Sequence, residues 1–264
     1  MKNIKISHEV PLCLLEESLE LNDFQYALPH LLESDEVYKN HFLKCKELGI
    51  EIYLDNSLHE LGYSLDDKTL LKWAHILNPS TLIVPDVWED KTQTLVNAKH
   101  FLQYEIPENT TLMAVVQGKN YIEMYECYYL LKELGYKKIA FSYGASYYNV
   151  LINHPNEALG KALGRIRTIS SLFKGGIIKK NDRIHLLGCS VPQEFSWYSD
   201  MPFIESIDTS NPVMAALEGL AYTYSGLDKK PTTNLNNSFG VKRSEVNMNL
   251  VIHNTQMFKL INNL

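Results

Sequence analysis

Residues 81–86 read Thr-Leu-Ile-Val-Pro-Asp, a short apolar run closed by a single carboxylate. A run of this length, rich in β-branched side chains and bounded by polar residues, suits a strand buried on both faces. The same pattern recurs in both directions along the chain. Residues 50–55 read Ile-Glu-Ile-Tyr-Leu-Asp, and residues 111–117 read Thr-Leu-Met-Ala-Val-Val-Gln. Asp55, Asp86 and Gln117 therefore close three successive runs, each 31 residues from the next. A barrel of roughly 250 residues built from eight βα units uses about 31 residues per unit. The spacing predicts equivalent places for the three side chains, at the C-terminal ends of consecutive parallel strands.

Helical signals fill the intervals. Ser34 offers an N-cap, with Asp35 and Glu36 in a first turn where the helix dipole favours acids. That helix is expected to run to Leu48 and to stop at Gly49. The grammar repeats over residues 121–134, Gly135 and a strand at 138–143. Further strands are expected at 24–29, 183–189, 203–208 and 249–253. The total is eight, and the fold expected is α/β, a TIM (β/α)8 barrel, with residues 1–264 as one catalytic domain. No Gly-x-Gly-x-x-Gly follows an early strand, which removes the usual argument for a doubly wound dinucleotide-binding sheet. Residues 226–238, with Lys229, Lys230, Pro231 and several Asn, read as a surface loop.

The 264 residues carry a formal net charge of −6, so any attraction to a polyanion must come from a local patch. Residues 161–180 supply one: Lys161, Arg165, Arg167, Lys174, Lys179 and Lys180, with no acid among them. On a helix Lys161 and Arg165 are i, i+4 neighbours and share a face. The competing reading is an ordinary solvated helix face. Cys13, Cys45, Cys127 and Cys189 form no Cys-x-x-Cys pair, which favours reduced thiols and a cytoplasmic setting, with no metal site. The nine histidines show no ligand spacing, and surface or core roles are expected of them. No apolar run of spanning length and no signal-peptide pattern is visible, so no membrane partner is expected.

Asp208 closes a later run, Ile204-Glu-Ser-Ile-Asp208, as the other three polar residues close theirs. Any one of the four can be explained by capping or an Asx turn. Together, at the mouth of a barrel, they make a chemical site. Partly desolvated acids near one another have separated pKa values, so one serves as proton donor and another as nucleophile.

Residues 185–212 then read HLLGCSVPQEFSWYSDMPFIESIDTSNP. This block resembles the stretch of tRNA-guanine transglycosylases in which a Leu-Met-Gly-x-Gly-x-Pro-Glu strand and loop precede the strand bearing the catalytic aspartate. Gly188, Pro192 and Glu194 occupy matching places, and Asp208 falls on the nucleophile. Asp55, in Leu54-Asp55-Asn56-Ser57, resembles that family's Asp-Ser-Gly acid/base aspartate. Asp86 matches its second aspartate, which holds the guanine edge. Gln117 and Gly118 match its base-contacting Gln-Gly. Ser142, Tyr143 and Gly144 lie where the family turns a Gly-rich loop against the base. The resemblance runs in order over roughly residues 24–220.

The departures are informative. The tRNA enzymes follow their nucleophile with a Cys-x-Cys-x-x-Cys and His zinc site. Here no cysteine follows Cys189, and the family's Pro-Thr-Arg-Asn is replaced by Asn211-Pro212-Val213. A short relative without zinc resembles the 7-deazaguanine DNA transglycosylases of the same superfamily, which include compact virus-encoded forms.

That resemblance implies replacement of guanine in DNA by a free 7-deazaguanine such as 7-cyano-7-deazaguanine, without a cofactor. Retention of configuration at C1′ needs two displacements and a covalent glycosyl-enzyme. Asp208 would attack and Asp55 would move the proton. Asp86 would accept from guanine N1–H and its amino group, donors that adenine lacks as a pair. Gln117 and the backbone near Gly144 would read the O6 side. Tyr143, Tyr147, Tyr148, Trp197 and Tyr198 are candidate walls for a flipped base, with core packing as the competing reading. The nucleic-acid contacts expected are Lys161, Arg165, Arg167 and Lys174. Exchange on tRNA is the alternative substrate class, and a non-catalytic nucleic-acid-binding barrel is the alternative function. A Schiff-base lyase is poorer, because no expected strand ends in Lys. A homodimer is compatible with all of these readings.

Overall fold

The computed structural model describes residues 4–263. Its strands are β1 (Lys5–His8), β2 (Gln25–Ala27), β3 (Ile52–Leu54), β4 (Thr81–Ile83), β5 (Thr111–Val116), β6 (Lys138–Ser142), β7 (Arg183–Leu187) and β8 (Ile204–Thr209). They form one eight-stranded sheet in the order β1-β8-β7-β6-β5-β4-β3-β2, with helices between successive strands. This is the α/β fold of TIM-like (β/α)8 type that the 31-residue spacing predicts. The chain divides into two compact units, residues 24–141 and residues 1–23 with 142–264.

In the unit 24–141, β2 to β6 pair in parallel, each with the next. Burial on both faces explains the unbroken apolar runs: Met113 to Val116 are all buried. Phe24 stacks on Tyr53 with ring centroids 4.0 Å apart. The helices start where short polar side chains can close their first turn. Asp35, Asp66, Asp90 and Asn120 each accept the amide three residues on, a cap worth about 1 kcal/mol apiece. The first of these corrects the sequence reading. Asp35, not Ser34, is the N-cap, and Ser34 ends the preceding helix by donating its hydroxyl to the His30 carbonyl. Lys138 opens β6 fully buried, its ammonium donating to the Tyr53 hydroxyl at 2.6 Å and to Thr81 Oγ1 at 3.2 Å. It sits at the strand end opposite to Asp55 and Asp86, so no Schiff-base chemistry at the C-terminal ends attaches to it.

In the other unit, β1, β8 and β7 pair in parallel. The expected strand at 249–253 is instead part of the helix Met248–Asn262, capped by Asn247. Its buried positions Val251, Asn254, Phe258 and Ile261 follow helical spacing, and Asn254 binds the Tyr222 amide and the Pro212 and Leu220 carbonyls. The eighth strand is β1, where Ile6 stands among Lys5, Ser7 and His8 and Ile4 lies just before it. His8 ends β1 in the core, edge-on to Phe258, and burial pushes its pKa down to about 3, so the ring is neutral. The cysteines are free thiols, and Cys45, Cys127 and Cys189 are buried. No helix of the described residues is long and apolar enough to cross a membrane. Among the described residues no group of three His, Cys, Asp or Glu could hold a metal ion.

Candidate functional site

In the unit 24–141, Asp55, Asp86 and Gln117 follow closely on β3, β4 and β5 and are all nearly buried. Asp55 takes the Tyr26 hydroxyl on Oδ1 at 2.9 Å and the Ser57 amide on Oδ2 at 2.8 Å. The second bond is an Asx turn, and it holds Ser57 in the left-handed region at φ 64°. The capping explanation thus accounts for the Oδ2 bond, but not for the bond to the tyrosine from the neighbouring strand.

Asp86 is held between two amides. Asn56 Nδ2 donates to its Oδ1 and Gln117 Nε2 to its Oδ2, each at 2.6 Å. Neither amide is free to turn. Asn56 Oδ1 accepts the Leu58 amide at 3.0 Å, its Nδ2 also reaches the Val84 carbonyl, and Gln117 Oε1 accepts the Glu89 amide at 2.8 Å. Ser64 Oγ donates to the Asp86 carbonyl and accepts the Asp86 amide. Burial raises the Asp86 pKa to about 6, while the two amide donors oppose the rise. Asn56 and Tyr26 were not expected from the sequence. Gly118 has a packing reason of its own: a Cβ there would stand 2.8 Å from Glu123 Cβ and 2.9 Å from the Met124 amide.

In the unit 1–23 with 142–264, Asp208 lies within β8 and opposite Leu187 of β7 and Ser7 of β1. His185, two residues before Leu187 and on the same face, is fully buried. One ring nitrogen lies 2.9 Å from Asp208 Oδ1 and the other 2.8 Å from Ser206 Oγ. The Gly188 amide also approaches Oδ1, at 3.4 Å. Among the described residues nothing donates to Oδ2. The carboxylate is therefore anchored by one oxygen and open at the other.

No family model matches this chain, and neither does any curated protein.

Gly188 adopts φ 66°, and a Cβ there would lie 2.4 Å from Tyr143 Cδ1. The tyrosine ring fills the space that a side chain would need. Ser142 Oγ accepts the Gly144 amide at 3.2 Å, which shapes the turn carrying Tyr143. The Tyr143 hydroxyl accepts from Lys230 Nζ at 2.7 Å, and the same ammonium stands 4.1 Å from the ring centroid.

The basic patch needs correction. Arg165 has no exposed surface. Its Nε and Nη2 form a fork on Glu194, at 2.6 and 3.0 Å, while Nη1 and Nη2 donate to the Leu187 and Gly188 carbonyls. Burial works against its charge and Glu194 overrides it, so the guanidinium stays charged. Arg165 is a support for the β7 loop, not a phosphate contact. Arg167 and Lys174 are exposed on the same helix, Glu157–Lys174, and Lys161 is half-buried. Tyr147, Tyr148 and Tyr198 are core residues, whereas Trp197 and Tyr143 keep partial exposure.

Proposed function

We propose that the chain is a base-exchange transglycosylase that replaces guanine in DNA with a 7-deazaguanine through a covalent aspartyl-sugar intermediate. The observation that carries this reading is the Asp208 carboxylate, with Oδ1 fixed by His185 and the Gly188 amide and Oδ2 uncommitted. A nucleophile needs this asymmetry, since one oxygen must be oriented while the other keeps its lone pairs for carbon. The resemblance over residues 185–212 supports the same role.

In this reading Oδ2 attacks C1′, the C1′–N9 bond breaks, and guanine leaves with a proton from Asp55. The incoming base returns its N9 proton to Asp55 as it displaces the ester. Asp86 accepts from the N1–H and 2-amino groups on the second acceptor site of each carboxylate oxygen, since its two amide neighbours each take only one.

The test is incorporation of radiolabelled guanine into guanine-containing duplex DNA and, in parallel, into tRNA. Asp208→Asn should lower exchange by several orders of magnitude and abolish any protein–DNA adduct seen by mass spectrometry after denaturation. Near-normal exchange by Asp208→Asn, or an adduct on Asp55, refutes the assignment. Exchange on tRNA alone would move the substrate to RNA and keep the chemistry.

A further inference from the structure

Arg165 is buried and presents no charge to a nucleic-acid backbone, whereas the loop 226–234 carries an exposed cation in the same unit as Asp208. Its path is pinned to its own unit at several points. Gln193 Nε2 donates to the Leu227 carbonyl and its Oε1 accepts the Leu227 amide. Asn156 Nδ2 donates to the Asp228 carbonyl, and Glu218 accepts from Thr232 and Thr233. Gly226, at φ 87°, lies so close to Gln193 that a Cβ would meet its Oε1 at 2.1 Å.

This loop carries Lys230, an exposed residue whose ammonium is nevertheless held in place by the Tyr143 hydroxyl and ring. No carboxylate of the described residues lies within ion-pair distance of it. Tyr143 rests on Gly188, and the Gly188 amide meets Asp208. Three contacts thus connect the cation to the carboxylate. Burial raises the thiol pKa of the neighbouring Cys189, and Lys230 is among the charges that counter it. A lysine fixed on a tyrosine, without a counter-ion, is pre-organised for an anion that the protein does not itself supply.

We propose that Lys230, seated on Tyr143, contacts a phosphate of the nucleic-acid strand whose sugar Asp208 attacks. This rests on the base-exchange reading for its substrate. It also changes the role of Tyr143, because the ammonium covers a ring face that a flipped base would otherwise stack on.

The experiment is fluorescence anisotropy with an end-labelled DNA duplex over a salt range of about 50 to 200 mM. Wild type is compared with Lys230→Ala, Lys230→Gln, Tyr143→Phe and, as control, Lys137→Ala, an exposed lysine just before β6. Loss of one phosphate contact lowers the log–log salt slope by about 0.9 for duplex DNA. Both Lys230 variants should show that fall with unchanged melting temperature, Tyr143→Phe a partial one, and Lys137→Ala none. In the exchange assay Lys230→Ala should raise KM and leave kcat near its wild-type value. A wild-type slope in both Lys230 variants overturns the proposal. A reduced slope in a protein that exchanges no base would keep the phosphate contact and refute base exchange. Absence of salt-dependent binding by the wild type would refute both.

Discussion

Replacing Asp86 by asparagine keeps the shape of the side chain and removes its charge, and the surrounding hydrogen bonds determine the cost. The carboxylate sits between the amide groups of Asn56 and Gln117. Both amides are tied by their oxygens to backbone N–H groups, of Leu58 and Glu89. Neither can flip to present an oxygen without orphaning one of those donors. An asparagine at 86 must therefore set its own NH2 against another NH2, leaving buried donors unsatisfied at about 1–3 kcal/mol. Against this stands the removal of a buried charge. Burial raises the folded-state pKa from 3.8 to about 6, a shift of roughly 2 units, or roughly 3 kcal/mol. A raised folded pKa means that this group's contribution is fully present below pH 3.8 and is lost as pH rises through about 6. The wild type carries that loss and Asp86→Asn does not. The stability of Asp86→Asn relative to wild type should therefore rise by about 2 kcal/mol between pH 4 and pH 7, part of the effect being already lost at pH 4. At pH 4 the variant should be the weaker protein, by about 1–3 kcal/mol. Urea unfolding at pH 4, 5, 6 and 7 measures both quantities. A difference independent of pH would show that Asp86 is not held in a desolvated setting, and its assignment as a strong, selective acceptor would fall with it.

Arg165→Met, which strands the Glu194 carboxylate in the core, should lower stability by about 3–5 kcal/mol, read as a large drop in melting temperature; a shift of only a degree or two would be inconsistent with the buried fork. Gly188→Ala must relieve both a positive φ and a 2.4 Å approach to Tyr143, so it should cost about 1–3 kcal/mol and reduce exchange through displacement of the Gly188 amide, checked by denaturant unfolding together with the exchange assay. Ser206→Ala removes the hydroxyl that meets His185 Nδ1, so 15N NMR should show a changed Nδ1 signal while the Nε2–H tautomer held by Asp208 persists; an Nδ1–H tautomer in the wild type would refute the orientation argued for Asp208.

The parts of the fold that depend on local pattern were legible in the sequence. β3, β4 and β5 fall inside the expected runs because burial on both faces demands continuous apolar residues, and Asp55, Asp86 and Gln117 follow from their common period. β1 was not legible, since a single isoleucine among Lys5, Ser7 and His8 gives too little alternation to stand out. Residues 249–253 misled in the opposite sense, because Leu250-Val251-Ile252 is apolar in either conformation, and only the buried Asn254 and Phe258 further on decide for a helix. Arg165 shows a different limit. Its residue type suggests phosphate, but its partner Glu194 is 29 residues away, and no count of charges reveals that pairing. His185 was detectable as a polar residue within a buried strand, yet its tie to Asp208 requires the register between β7 and β8.

The correction at Arg165 deepens the case for Asp208. In the proposed role Asp208 accepts from His185 Nε2–H, and in that tautomer Nδ1 accepts from the Ser206 hydroxyl 2.8 Å away. A hydroxyl donates or accepts as required, so the carboxylate sets the tautomer and Ser206 completes it by meeting the other ring nitrogen. The second anchor, the Gly188 amide, belongs to a residue with an unusual backbone conformation, and Arg165 is what holds it there, by taking the Leu187 and Gly188 carbonyls together. Glu194 in turn fixes Arg165 and accepts the Tyr198 hydroxyl at 2.8 Å. A buried ion pair is weak evidence for stability, because desolvation consumes most of its Coulombic gain. Its effect here is geometric. The guanidinium has a rigid fork of donors, and two of its contacts are spent on the turn that aims an amide at Asp208. Lysine at 165 would keep the charge and lose the fork, so the turn would lose a carbonyl contact although the ion pair survived. The arrangement constrains one oxygen of Asp208 from two directions and leaves the other open, and that asymmetry, rather than the mere presence of an acid at a strand end, is the reason for assigning it the nucleophilic role.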